Sequence, residues 1–368
     1  MGDRSWRRIL ESVCLPCGAV LVALFLFGIF CALAGANPLG VYNSIYKAAF
    51  GSASRVQGTL ILASPLMLTA LCTALPAKLG LVIIGNEGAL VMGGLGAIIS
   101  GLALQDSLPP TLVVFAMALS SLLFGGLWIT AVGALRHWRG VNETISSLLM
   151  NAIAIAILNH LVEGPMRDPS SLNKPSSFPL LAASRLGAIP GTRIHYGLIY
   201  GLVACAIAYV LIQRTTFGFA VRTTGGNIRA ARLAGLPVGK LTLAICFLAG
   251  SCAGLAGMVE IAAVHGVANA SLNANYGYSG ILVAFIARSN GLAVTLVSFL
   301  LGGILASGGI LQRVHDLPDS TVLVFQGLVF LVVLFSESLY GKFAWFAEPE
   351  PKAAIAFSQK SEQSAPAR

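Results

Sequence analysis

Charge is what this sequence lacks. Lys, Arg, Asp and Glu make up 10% of its 368 residues, and 14 of those are acidic, against roughly 25% charged in a soluble domain. A chain so poor in charge cannot fold against water alone. Histidine is scarce as well. The five residues at 137, 160, 195, 265 and 315 are scattered among loop edges and never take a ligand spacing. With no clustered ligands and no paired nucleophile and base, a membrane enzyme has no visible constellation. Seven cysteines are present, most inside apolar runs, where they behave as small apolar residues. Cys14-Leu15-Pro16-Cys17 is formally a C-x-x-C, but with no second pair and no nearby His cluster it makes no case for metal or redox chemistry. A phosphate loop is missing too. Gly235-Leu-Pro-Val-Gly239-Lys240 approaches one, yet Ala234 replaces the first glycine of G-x-x-x-x-G-K-[ST] and Leu241 follows the lysine. The chain therefore has no ATP site by that test, and no cofactor of its own is expected. ATP, if it drives a process here, is bound by another subunit.

What is abundant is apolar. Hydrophobic residues reach 56%, gathered in runs near the ~20 residues that carry a helix across a ~30 Å hydrocarbon layer. They are too long and continuous for barrel strands, so an all-α, polytopic transmembrane bundle is expected. The first run covers about 15–36. Ala34-Gly35-Ala36 resembles a signal-peptidase site, but the run exceeds the usual 7–15 residues of such a region, which favours a retained helix. Nine further spans are expected at about 58–78, 86–104, 111–135, 144–162, 195–213, 241–263, 278–288, 291–311 and 319–339. About ten spans put both termini on one side. With the N-terminus inside, 16 Lys and Arg fall on the cytoplasmic side and seven outside, together the 23 of the chain. This is the asymmetry that orients membrane proteins. The formal charge of +9 is thus a topological signal, and the clustered basic and aromatic surface that nucleic acid requires is missing. Residues 1–14 are expected as a cytoplasmic N-terminus, 15–340 as the membrane domain and 341–368 as a disordered cytoplasmic tail. The outer segment 163–194, rich in Pro and Ser, reads as an exposed loop.

Two segments resemble one another. Gly85-Asn86-Glu87-Gly88-Ala89-Leu90-Val91 and Gly277-Tyr278-Ser279-Gly280-Ile281-Leu282-Val283 share G-x-x-G-x-L-V. In the ten-span layout the first enters from the cytoplasm and the second from outside. That is the pattern of an inverted internal repeat whose broken helices line a central pathway. Asn86, Glu87, Gly88, Asn151, Tyr276, Tyr278 and Ser279 are the pathway candidates. Glu87, near a helix start, suits either a substrate contact or a structural lock. Tyr276 and Tyr278 suit either stacking on a planar ring or an interfacial belt. Glu260, nearer the outer end of its span, is expected to be solvated. Asn142 and Glu143 read as helix caps. Gly250-Ser-Cys-Ala-Gly254 is a close-packing signal.

The largest inner loop, 214–240, holds Asn227 as a candidate N-cap, a short basic helix over 228–234 and stops at Gly235 and Pro237. Such a helix suits anionic lipid or a cytoplasmic partner.

Three stretches together, Ile84 to Gly93, Gly140 to Asn151, and Phe217 to Val238 followed by Gly250 to Gly257, resemble the permeases of the branched-chain amino acid and simple-sugar ABC importers. The likeness is strongest to nucleoside and simple-sugar permeases that work with basic-membrane-protein-type binding lipoproteins, and it covers about 15–340. It implies a non-enzymatic, multi-pass permease of the bacterial inner membrane, carrying nucleosides or, alternatively, simple sugars. It also implies a second permease in a heterodimer, a separate cytoplasmic ABC ATPase and an extracytoplasmic substrate-binding protein. The ATPase-coupling helix it implies falls on Gly225, Asn227, Arg229, Ala230, Ala231 and Gly235, where a bulky side chain at Ala231 is expected to uncouple transport. The sugar-type branch tends to carry Asp-Leu-Ser where this chain has Asn86-Glu87-Gly88, which favours nucleosides. Ala89 stands where the family commonly has Gln. An ion-coupled secondary transporter would need several buried relays, and only Glu87 lies at a suitable depth.

Overall fold

The computed structural model describes residues 2–171 and 174–338, with side chains from residue 18 to 336. The expected tail at 341–368 and the side chains of Cys14 and Cys17 lie outside the described residues. The helices are α1 (Gly2–Leu33), α2 (Pro38–Phe50), α3 (Ala53–Ala77), α4 (Asn86–Leu104), α5 (Pro110–Arg139), α6 (Glu143–Glu163), α7 (Gly197–Arg214), α8 (Thr216–Gly226), α9 (Ile228–Leu233), α10 (Val238–Val259), α11 (Tyr276–Ile286), α12 (Gly291–Ala306), α13 (Gly308–His315) and α14 (Thr321–Ser338). Pairing outside helices is limited, among the described residues, to isolated bridges. The architecture is an all-α polytopic bundle. Each of the ten expected spans falls on a helix. Seven helices are long and apolar enough to cross a membrane, or eight if α1 and α2 form one broken span. α11, at 11 residues, reaches only about 16 Å.

The chain forms two compact units. One joins the start of α1 to α14 from Gly327, and the other is Ile29–Gln326. Within the larger unit α4, α5 and α10 pack most closely. The expected packing role of Gly250 and Gly254 is seen here: a Cβ on Gly125 of α5 would lie 2.5 Å from the Gly250 carbonyl oxygen, and one on Gly93 of α4 equally close to that of Gly254. Leu90, Leu95 and Ile98 of α4, Met117 of α5, Leu158 of α6 and Met258 of α10 share the core cluster. Phe115, Leu127, Leu296 and Leu300 point outward, as lipid-facing residues do.

Two expectations change. α2 occupies a stretch read as a loop, because Asn37 caps Leu39 at 3.1 Å and Pro38 fits the first turn. The segment after α6 is not a freely exposed loop. α10 ends in a π turn, Glu260–His265, whose altered register leaves carbonyls open. Leu186 N donates to Ala262 O and Leu180 N to Gly266 O, both at 2.9 Å, and Leu180, Ser184 and Leu186 are buried. A low-period sequence gave no sign of these pairings, which join residues far apart in the chain.

Candidate functional site

After α3 the chain turns at Gly80, whose φ of 83° suits glycine, and runs without helix from Leu81 to Ile84. Extended backbone with Leu81 and Ile83 buried must find its partners inside the protein, and α6 supplies most of them. Thr144, Ser147 and Asn151 stand at i, i+3 and i+7, on one helix face. Thr144 Oγ1 donates to Val82 O at 2.9 Å, Ile84 N donates to Ser147 Oγ at 3.1 Å, and Asn151 Nδ2 donates to Ile84 O at 2.9 Å. From α3, Thr73 Oγ1 donates to Ile83 O at 3.0 Å. Asn142 caps α6 at the backbone of Thr144 and Ile145, as its position predicts, and Glu143 pairs with Arg136 at 3.2 Å. Thr73, Thr144 and Ser147 were missed in the sequence. A polar row with a spacing of three and four in an otherwise apolar helix is the signal that marks the α6 pair.

Three consecutive residues then bind the first turn of α4 to three other helices. Asn86 Nδ2 donates to Thr69 O and Thr73 Oγ1 of α3, each at 2.9 Å. Glu87 reaches the start of α11, its Oε1 accepting from Asn275 N at 2.9 Å and its Oε2 from Gly277 N at 2.5 Å. Gly88 N donates to Asn151 Oδ1 at 2.7 Å. Asn86 and Glu87 have no solvent exposure. α11 has no capping side chain of its own, and the first N–H groups of a helix lack intrahelical partners and carry its positive end. Glu87, itself in the first turn of α4, thus serves the positive ends of both helices. Gly277 makes the approach possible, since a Cβ there would lie 2.6 Å from Glu87 Cα. The two segments that resemble one another in sequence therefore meet in space, N-terminus to N-terminus.

The other pathway candidates lie around this junction. The Tyr276 carbonyl accepts from Thr69 Oγ1 at 3.1 Å. Tyr278 is 40% exposed, and its hydroxyl is 3.5 Å from Asn151 Nδ2. Ser279 Oγ donates to Gln326 Oε1 at 2.8 Å. Trp128 of α5, not singled out by sequence, adds a buried indole N–H without a protein partner. A Cβ on Gly88 would lie 3.1 Å from that nitrogen. Glu260 corrects an expectation. It is buried rather than solvated, with His265 Nε2 at 3.6 Å, because the segment after α6 covers this end of α10.

The candidates of the 214–240 loop lie apart from that junction. Asn227 caps α9 through Ala230 N at 3.0 Å, and Gly235 takes a φ of 75° just past the helix, both as the sequence predicts. Gly225, at the end of α8, abuts the Lys78–Leu79 turn. Arg229 and Ala230 are exposed, whereas Ala231 is fully buried. A bulky group at Ala231 would therefore disturb packing rather than report on a partner. Leu233, 90% exposed, is the most exposed large apolar side chain of α9, with Ile228 also exposed.

The sequence that builds this arrangement is similar to that of known proteins. Residues 55–334 match the family model described as the branched-chain amino acid transport system / permease component. The chain belongs to this family. The permease is 31% identical to the glucose ABC transporter permease protein TsgB13 of Haloferax volcanii, over 88% of its own length and 87% of that protein's. It is 28% identical to the guanosine ABC transporter permease protein NupP of Bacillus subtilis, over 90% and 94%. It is 25% identical to the nucleoside ABC transporter permease protein NupB of Lactococcus lactis, over 88% and 91%. The permease is accordingly an integral membrane subunit of the ABC-transporter class.

Proposed function

We propose that the permease forms the translocation path of an ABC importer for nucleosides. In this reading it works beside a second permease, takes substrate from an extracytoplasmic binding protein, and is driven by a separate ATPase that docks on α9. The observation that carries the substrate assignment is the grouping of Tyr278, Asn151 and the unpartnered Trp128 N–H beside the α4–α11 junction. Aromatic faces stack on planar bases, and the unpartnered indole donor, held beside Asn151, suits their polar edges. The names of the guanosine and nucleoside relatives agree. Simple sugars are the second reading, favoured by the glucose relative. Transport would proceed by alternating access, with closure of the ATPase pair pulling on α9 and the α4 and α11 starts changing which side they open to.

Uptake of labelled purine and pyrimidine nucleosides by cells with and without the permease tests this. A loss of uptake on deletion, with competition by nucleosides but not by ribose or glucose, is expected. Unchanged nucleoside uptake overturns the substrate assignment, and loss of sugar uptake in its place supports the second reading.

A further inference from the structure

A groove of about 490 Å³ opens on the apolar exterior where α5 and α7 stand apart over α10. Its volume falls in the ~300–1,000 Å³ range of small-molecule sites. Leu243, Phe247 and Leu248 of α10 line it, together with Thr130 of α5, Leu211 of α7 and Phe217 of α8. The one hydroxyl in this set is already used, Thr130 Oγ1 donating to Gly126 O at 2.7 Å. The interior of the groove thus offers apolar contact and no free polar group.

Its rim at one end is different. Arg214 lies one turn beyond Leu211 on the same face of α7, and Lys240 one turn before Leu243 on α10. His137 lies two turns beyond Thr130 on α5, and its ring abuts Gly239, next to Lys240. Three helices therefore bring basic side chains to the same end of one apolar groove. Arg214, Lys240 and His137 are exposed, and none has an acidic partner among the described residues. The loop that joins these helix ends is the one the charge asymmetry assigns to the cytoplasm, and the cytoplasmic leaflet is the anionic one.

We propose that this groove is a binding site for an anionic phospholipid, with one acyl chain lying along Leu243, Phe247 and Leu248 and the headgroup phosphate held between Arg214 and Lys240. A zwitterionic lipid would fill the same apolar channel, but its own headgroup cation offsets the attraction of its phosphate to the two basic side chains, so headgroup charge decides occupancy. A second protein's helix would leave both cations unpaired unless it carried acidic residues at that level. Anionic lipid meets both features at once.

Lipid retention by the purified full-length protein, read by native mass spectrometry after exchange into mixed phosphatidylglycerol and phosphatidylcholine, tests the site. The wild type is expected to keep one phosphatidylglycerol with roughly 30-fold preference, the effect of two cations at an anionic surface. The preference should shrink as salt is raised. Arg214→Gln with Lys240→Gln, both on exposed side chains, should lose that preference. Ala244 of α10 also lines the groove, and Ala244→Trp, which fills it and leaves both cations in place, should lose the retained lipid altogether. Soluble glycerophosphoglycerol, which has the headgroup but no chain, should fail to displace it. Equal retention of the two lipids by the wild type overturns the proposal. So does an unchanged preference in the double variant, retention in Ala244→Trp, or displacement by the chainless headgroup.

Discussion

Replacing Glu87 probes the junction directly. In Glu87→Ala, the backbone N–H groups of Asn275 and Gly277 lose their acceptors. α11 has no capping side chain to take them over, and with Glu87 itself fully buried and Gly277 buried beside it water has little access to replace the lost carboxylate. Each buried donor left without a partner costs about 1–3 kcal/mol, so two put the loss at about 2–6 kcal/mol. The start of α11 bears it first, because α4 keeps its own ties through Asn86 to α3 and through Gly88 to Asn151. Local opening of the first turn of α11 should become roughly 30-fold to 10⁴-fold more frequent. Hydrogen exchange on the purified protein reads this, with Asn275 and Gly277 losing protection while amides in the middle of α5 and α10 keep theirs. Glu87→Gln, which retains one acceptor oxygen, should give a smaller loss. Unchanged exchange at Asn275 and Gly277 in Glu87→Ala would refute the capping role.

Other perturbations follow from the same contacts. Gly254→Leu drives a side chain into Ser121 and Gly125 of α5 and should lower the thermal midpoint, since overpacking costs typically ~1–3 kcal/mol; an unchanged midpoint would contradict the close approach. Leu233→Ser, at an almost fully exposed position, should leave the midpoint alone but reduce ATP-dependent uptake, whereas normal uptake would remove α9 from the coupling path. His195, which the structure places before the start of α7 rather than inside the expected 195–213 span, is 5% exposed with both ring nitrogens unpartnered and is held below the ordinary histidine pKa by burial. The folded protein then binds fewer protons than the unfolded chain, so stability is full above ~pH 6.5 and falls as pH drops through that value. His195→Phe should flatten this part of the midpoint-versus-pH curve, and an unaltered curve would assign the acid sensitivity elsewhere.

Composition and run length alone determined that this chain is a helical membrane bundle, because a chain with so few charges and such long apolar runs has no other way to satisfy its backbone. Local chemistry was equally legible. Asn142 and Asn227 cap the helices that follow them, Gly235 ends α9, and Gly250 and Gly254 admit a neighbouring helix, since each effect depends on residues within one turn or on the size of one side chain. The likeness of the two G-x-x-G segments was visible too. What they do to each other was not. That Glu87 caps a helix 190 residues away, that Thr144, Ser147 and Asn151 clothe the bare backbone of 81–84, that Ala231 faces inward and that Glu260 is covered are all matters of which surfaces meet. Hydrogen bonds between residues distant in the chain leave no local period, and burial depends on what packs above a residue rather than on its neighbours in sequence. Only the tertiary structure could decide them.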